Sequence, residues 1–153
     1  MDAILVPIAL VLLLLALGQA IYVVSAFLGG WHQLQKLYPD QPASPEVNVS
    51  GLSLCFGRSA VYGQVIRVEL GQLGIRISIS PFLRLYHPPI FVPWKDVAGC
   101  ELTHFRIFKN AVRLEIAQWP HPIHIYSLLW KHEKFPALLL RRWEQQGAPV
   151  AQP

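Results

Sequence analysis

Two hydrophobic patterns divide the chain. From Ala3 to Leu28 there are 26 positions without a charged residue, and Gln19 is the strongest polar side chain among them. From Val47 onward apolar and polar residues alternate with a period of two. The first pattern predicts a helix buried on all sides, and about 20 such residues suffice to cross a bilayer. The second predicts half-buried antiparallel strands, one face in a core and one in water.

The first segment, residues 3–29, is expected to be an uncleaved single-pass anchor. A cleavable signal would want a basic start, an apolar run of about 7–15 residues and a small-x-small site. Here the chain starts Met1-Asp2, the run is longer, and Ser25-Ala26-Phe27 is a poor site. Gly29-Gly30 is expected to end the helix. No Lys or Arg precedes the span and all 13 follow it, Lys36 being the nearest. The positive-inside rule therefore places the carboxyl-terminal part in the cytoplasm. Trp31 and Tyr38 suit a membrane interface. Residues 30–46, broken by Pro39, Pro42 and Pro45, are read as a juxtamembrane linker.

Within residues 47–147 about seven strands are expected. Leu52, Leu54 and Phe56 share one face; Ile66, Val68 and Leu70 another; Ile75, Ile77 and Ile79 a third. Val112, Leu114 and Ile116 oppose Arg113 and Glu115, and Ile123 and Ile125 oppose His124 and Tyr126. Gly71 to Gly74 reads as one hairpin turn, Lys109-Asn110 as another, and Trp119-Pro-His-Pro122 as a corner. The alternation ends at a helix, with Phe135, Leu138, Leu139 and Trp143 on one face and Pro136 tolerated in its first turn. Gly147 and Pro149 stop it, and 148–153 reads as a tail. The fold expected is mainly antiparallel β, a small barrel or bent sheet whose open end the carboxyl-terminal helix closes.

Seven strands followed by one helix resembles the pleckstrin-homology (PH)-like superfold. The run Gly74 to Leu102, with His87-Pro88-Pro89, a short strand and Pro93-Trp94, also resembles a pattern found in small bacterial single-pass membrane proteins, mostly uncharacterised. Together with the positive-inside reading, it points to an inner-membrane protein with its domain in the cytoplasm. The PH-like resemblance implies variable loops at an open end, and so a recognition surface of Arg84, Tyr86, His87 and Lys95, with Arg58 adding charge. Trp94 is expected in the core.

Composition adds constraints. After the anchor there are 13 basic and 8 acidic residues, a net +5 suited to anionic lipid heads but scattered rather than clustered. Cys55 and Cys100 lie in strand-like segments and are expected to be buried thiols. His121 and His124, three apart, would point to opposite faces of a strand and could share a ligand only across the Pro122 turn, so no metal site is expected. Ser59 sits near glycines but not in a nucleophile elbow. No phosphate loop, dinucleotide fingerprint or carboxylate pair is present, so neither an enzyme nor a cofactor is expected. Phe105 to Lys109 interleaves aromatic and basic residues, but core packing accounts for it better than nucleic acid does.

The expected function is therefore a membrane-tethered binding or scaffold module, recognising a protein partner or anionic lipid. The alternative is a structural subunit assembled through its span. Ala16-x-x-x-Ala20 and Ser25-x-x-x-Gly29 are small-residue pairs that permit close helix approach.

Overall fold

The computed structural model of the chain describes residues 2–42, 44–57, 60–84, 86–127 and 134–146. It begins with α1 (Asp2–Leu28), which over Leu5–Leu28 is long and apolar enough to cross a membrane, with a mean hydropathy of 2.4. A seven-residue helix, α2 (Trp31–Leu37), follows at once. Then come β1 (Val47–Phe56), β2 (Ala60–Leu70), β3 (Gly74–Ile79), β4 (Ile90–Pro93), β5 (Val97–Phe105), β6 (Phe108–Ile116) and β7 (Ile123–Tyr126). The last element is α3 (Phe135–Gln146).

The strands form one antiparallel sheet in the order β4-β3-β2-β1-β7-β6-β5. β1 is the bent strand on which the two halves meet. It pairs with β2 along its length and with β7 only over Ser53–Phe56. Its register shifts on either side of Leu52, with Gly51 at φ +82° and Gln64 opposite at φ +57°. The Ser53 hydroxyl accepts the freed Gln64 N–H at 3.0 Å. Such bulges tighten twist and curl a sheet, and the curl wraps the alternating Ile, Leu and Val residues around one core. α3 covers the β5–β6 part of that core with Phe135 and Leu139. The Trp143 indole donates to Val97 O at 3.0 Å, and Arg142 pairs with Glu46.

Three expectations need correction. The stretch read as a juxtamembrane linker begins with α2 and packs onto the sheet. Trp31, Leu34 and Tyr38 are buried in the main core, Phe91 N donates to Tyr38 O, and Arg76 grips Asp40 through two bonds of 2.7 and 2.9 Å. Trp31 and Tyr38 are thus core side chains rather than interface rings, because the folded sheet offers them more apolar contact than a headgroup layer would.

The β5–β6 turn falls at Arg106-Ile107, not at Lys109-Asn110. In the observed register Glu101 faces Arg113, and the two are ion-paired at 3.0 Å. A two-residue turn at 109–110 would instead set Arg106 opposite Arg113, and like charges directly opposite are destabilising. The third correction follows from the second. Phe105 and Phe108 do not enter the main core. They lie on the outer face, Phe105 stacked on His124 (centroids 4.5 Å apart) and Phe108 on Tyr126 (4.7 Å), beside Cys55 and Ala111. Ile107 at the tip is 85% exposed.

Other expectations match the structure. Gly71 N donates to Gly74 O in the β2–β3 hairpin. Trp94 is buried with its indole on Gly71 O at 2.9 Å. Both cysteines are buried and free. The helix stop at Gly147 and Pro149, and the tail 148–153, lie outside the described residues.

Candidate functional site

The junction between α1, α2 and the loop before β4 is a cluster of rings. Gly29-Gly30 reverses the chain there, with Gly30 at φ +90°, a conformation glycine adopts without steric cost. A Cβ on Gly29 would collide with Ala60 and with Ser25 O, so the helix end rests directly on the start of β2. Trp31 then enters the core edge-on to Phe56, Tyr62 and His87, with centroids 5.9, 5.4 and 5.3 Å away. Its indole N–H donates to Pro88 O at 2.9 Å. Tyr22, two turns earlier in α1, meets Tyr62 and His87 from the other side. Burial pushes the Tyr62 phenol well above its ordinary range.

This cluster decides where the sequence-predicted residues lie. His87 is fully buried, its Nε2 3.3 Å from the Tyr62 hydroxyl, so it builds the loop from inside and offers no surface to a partner. Tyr86 is 56% exposed at φ +66°, and that left-handed residue turns the chain so that His87 points inward. Arg84 is exposed on the same loop, and its carbonyl accepts from His87 N. Lys95 is exposed too, but beyond the opposite end of β4, next to the Trp94 indole that reaches the β2–β3 hairpin. Arg84 and Tyr86 therefore share a surface, and Lys95 belongs to another. Arg58 and Ser59 lie outside the described residues.

A cleft of about 750 Å³ opens beside the junction. One wall is the helix turn Leu28-Gly29-Gly30 with Gln33. The others are Phe56 and Gly57, the corner Trp119, His121 and Pro122, and the outer-face residues Thr103, Phe105, Arg113 and His124. Gly30 lets the backbone pass close to Trp119, since a Cβ there would sit 2.7 Å from the indole ring.

The polar groups of this cleft are unevenly satisfied. Arg113 gives Nη1 to Glu101 (3.0 Å) and Nη2 to Glu115 (2.7 Å), leaving Nε buried with no partner. Trp119 Nε1 and His124 Nδ1 are likewise buried and unpaired. Trp119 is only 9% exposed. Burial, and then the neighbouring Arg113 charge, hold the His124 imidazole below its ordinary pKa.

Sequence reasoning missed this constellation. It set His121 and His124 on opposite faces of a strand, unless the Pro122 turn brought them together. Only His124 is in β7, however, and Pro122 turns His121 onto the same cleft. The signal present was Trp119-Pro-His-Pro122, read as a corner across which the two histidines could meet, but without Arg113 or Trp119 as part of a site. Among the described residues no three His, Cys, Asp or Glu side chains group as a metal site would require.

No protein-family model and no curated protein matches the sequence, so the resemblance to small bacterial membrane proteins gains no support from them. Solved structures do match. The Vps36 N-terminal PH domain superposes with a TM-score of 0.53 at 11% identity, covering 69% of this chain and 83% of that one. The C-terminal domain of an unknown protein from Leishmania infantum gives 0.47 at 9% identity, covering 67% and 85%, too distant to carry weight. The seven-stranded curled sheet with its carboxyl-terminal helix has a PH-like fold, carried behind an apolar amino-terminal helix.

Proposed function

We propose that this chain is a membrane-anchored binding module, its PH-like domain held on the cytoplasmic face of a bacterial inner membrane. One observation carries the reading: the end of the apolar helix is built into the domain core with no spacer. Ala26, Trp31 and Leu34 belong to the same buried cluster as the strands, while every residue from Leu5 to Leu17 is exposed. Asp2 to Ile21 spans about 30 Å at ~1.5 Å per residue, close to the hydrocarbon thickness of a bilayer. Tyr22, the first ring to touch the domain, would then lie at headgroup depth, where tyrosines settle. That depth brings the loop bearing Arg84 and Tyr86 against the lipid heads and leaves Lys95 away from them. The exposed loop is the recognition surface, and anionic lipid is its nearest ligand. Catalysis forms no part of the proposal.

Assembly through the span has less support. Of the two small-residue pairs, Ser25-x-x-x-Gly29 is occupied within the chain, because Gly29 is packed on Ala60. Only Ala16-x-x-x-Ala20 stays exposed for another helix.

The test uses the full chain in liposomes, with fluorophores on Arg84→Cys or Lys95→Cys and a quencher on the lipid headgroups. Strong quenching at 84 and weak quenching at 95 is expected. Equal, weak quenching at both would sink the membrane-flush placement and leave a protein partner as the ligand to seek.

A further inference from the structure

The cleft beside the helix junction meets a second, smaller hollow of about 240 Å³, and Arg113 lines both. Their chemistry differs. The first is walled by the rings of Phe56, Phe105 and Trp119, with Leu28 and Pro122. The second is lined by Glu101, Glu115 and Trp143 around Gly99, which has no side chain to fill it.

Charge selects the occupant. Glu101 and Glu115 pair with Arg113 at 3.0 and 2.7 Å, two carboxylates to one guanidinium, so the fixed charge is net negative. Each carboxylate uses one oxygen on Arg113, and the two side chains are 60% and 52% exposed. Glu144, exposed on α3, adds its negative field at Cys100 in the same hollow. The far wall of the first cleft is the carboxyl end of α1. Its last carbonyls carry partial negative charge, and no basic residue occupies its last turn. Arg106 rides on the Phe105 ring at 5.3 Å but lines neither hollow. The unpaired nitrogens of Trp119, Arg113 and His124 are buried, so a ligand meets rings and carboxylates instead.

We propose that these joined hollows dock an extended basic segment of another protein. An apolar side chain fills the ring-lined cleft, and an Arg or Lys about three residues away pairs with Glu101 and Glu115. The spacing follows from the sheet. His124 and Glu101 flank Arg113 on neighbouring strands, so the ring wall and the carboxylates lie about 10 Å apart, which about three extended residues span. The site is separate from the Arg84–Tyr86 loop, which lines neither hollow. Anchoring as proposed above sets it among the juxtamembrane Lys and Arg residues that the cytoplasmic loops of other membrane proteins carry in excess. That source rests on the previous subsection; the site itself does not.

The test is a titration of the full chain in maltoside micelles, followed by the indole N–H resonance of Trp119, assigned by its loss in Trp119→Phe. The probes are acetyl-Leu-Ser-Ser-Arg-Arg-amide, the same peptide with Glu in place of Arg, and the same peptide with Ser in place of Leu. The basic peptide should give a saturable shift that high salt weakens. Replacing its Leu should weaken binding about tenfold. The double change Glu101→Gln with Glu115→Gln should weaken it about fivefold. Gln33→Glu, at an exposed position of the cleft wall, should tighten it about twofold, which tests the charge without touching the Arg113 pairs. A resonance that stays fixed with the basic peptide would overturn the site. Equal shifts with the acidic peptide would overturn the charge selection, and equal binding without Leu would overturn the ring-lined cleft as its seat. No bilayer is involved, so these outcomes are independent of the quenching experiment in liposomes.

Discussion

The Trp31 indole N–H donates to the carbonyl oxygen of Pro88 across 57 residues of sequence, at 2.9 Å. This bond ties the segment after the apolar helix to the loop before β4, and the ring beside it fills the core between Phe56, Tyr62 and His87. Truncating a buried Trp to Ala costs about 3–5 kcal/mol. Trp31→Ala should therefore lower the urea midpoint of the full chain severely. Trp31→Phe keeps most of the ring contact and leaves Pro88 O unpaired, so a loss of about 1–3 kcal/mol is expected. Equal stability of wild type and Trp31→Ala would show that the junction does not hold the domain.

Arg76 joins two segments, bridging Asp40 before β1 and Glu69 on β2. Its hydrogen bond is the chief reason the Asp40 carboxyl is held below its usual range. A carboxylate whose pKa is depressed by folding stabilises the native state above its unfolded pKa, about 3.9, and loses that contribution as pH falls through the folded value. Asp40→Asn should thus cost up to about 1 kcal/mol at neutral pH, since the pair is partly solvated. The gap from wild type should close on acidification, as thermal unfolding between neutral and strongly acid pH would reveal. A constant gap would contradict the assignment.

Burial raises the pKa of both thiols, that of Cys100 to about 12, with Glu144 and Glu101 adding to the effect. The thiolate is the reactive form, so alkylation must wait for the fold to open. Iodoacetamide should label neither cysteine of the native chain at pH 8 over minutes, and both in denaturant. Fast native labelling would mean that one thiol is accessible.

Gly74 and Gly63 make a matched pair. A Cβ on Gly74 would strike Val92 O, the Phe91 ring and the Pro93 backbone, whereas one on Gly63 meets nothing within 4 Å. Backbone cannot swing aside as a side-chain tip can, so Gly74→Ala should cost about 1–3 kcal/mol. Gly63→Ala should be near neutral. Comparing their melting temperatures decides it.

Strand positions were legible in the sequence wherever apolar and polar residues alternate, even where the polar face is covered too, as at Glu69 and Ser78. Ile66, Val68 and Leu70, or Ile75, Ile77 and Ile79, alternate with polar residues and are buried as the alternation implies. The turn at Arg106-Ile107 was not, because Asn110 is a better local turn residue. The pairing of Glu101 with Arg113, set by residues 12 apart, overrides it. Trp31 and Tyr38 were misplaced for a related reason. A window of sequence shows an amphipathic ring after an apolar helix, but not the sheet edge that later folds over it. The cleft was least legible. Its donors come from β6, β7 and the corner between them, and each has an ordinary structural role when met alone.

The absence of slack between α1 and the sheet has a mechanical consequence. Gly29 lies on Ala60, Gly30 passes against Trp119, and Trp31 is wedged among three rings, so helix and sheet share one stiff joint. A flexible tether would let the helix spin or slide without disturbing what it carries. This joint works as a keyed shaft: a turn of α1 about its own axis swings the Arg84–Tyr86 loop through the same angle, and a sideways push on that loop twists the helix in return.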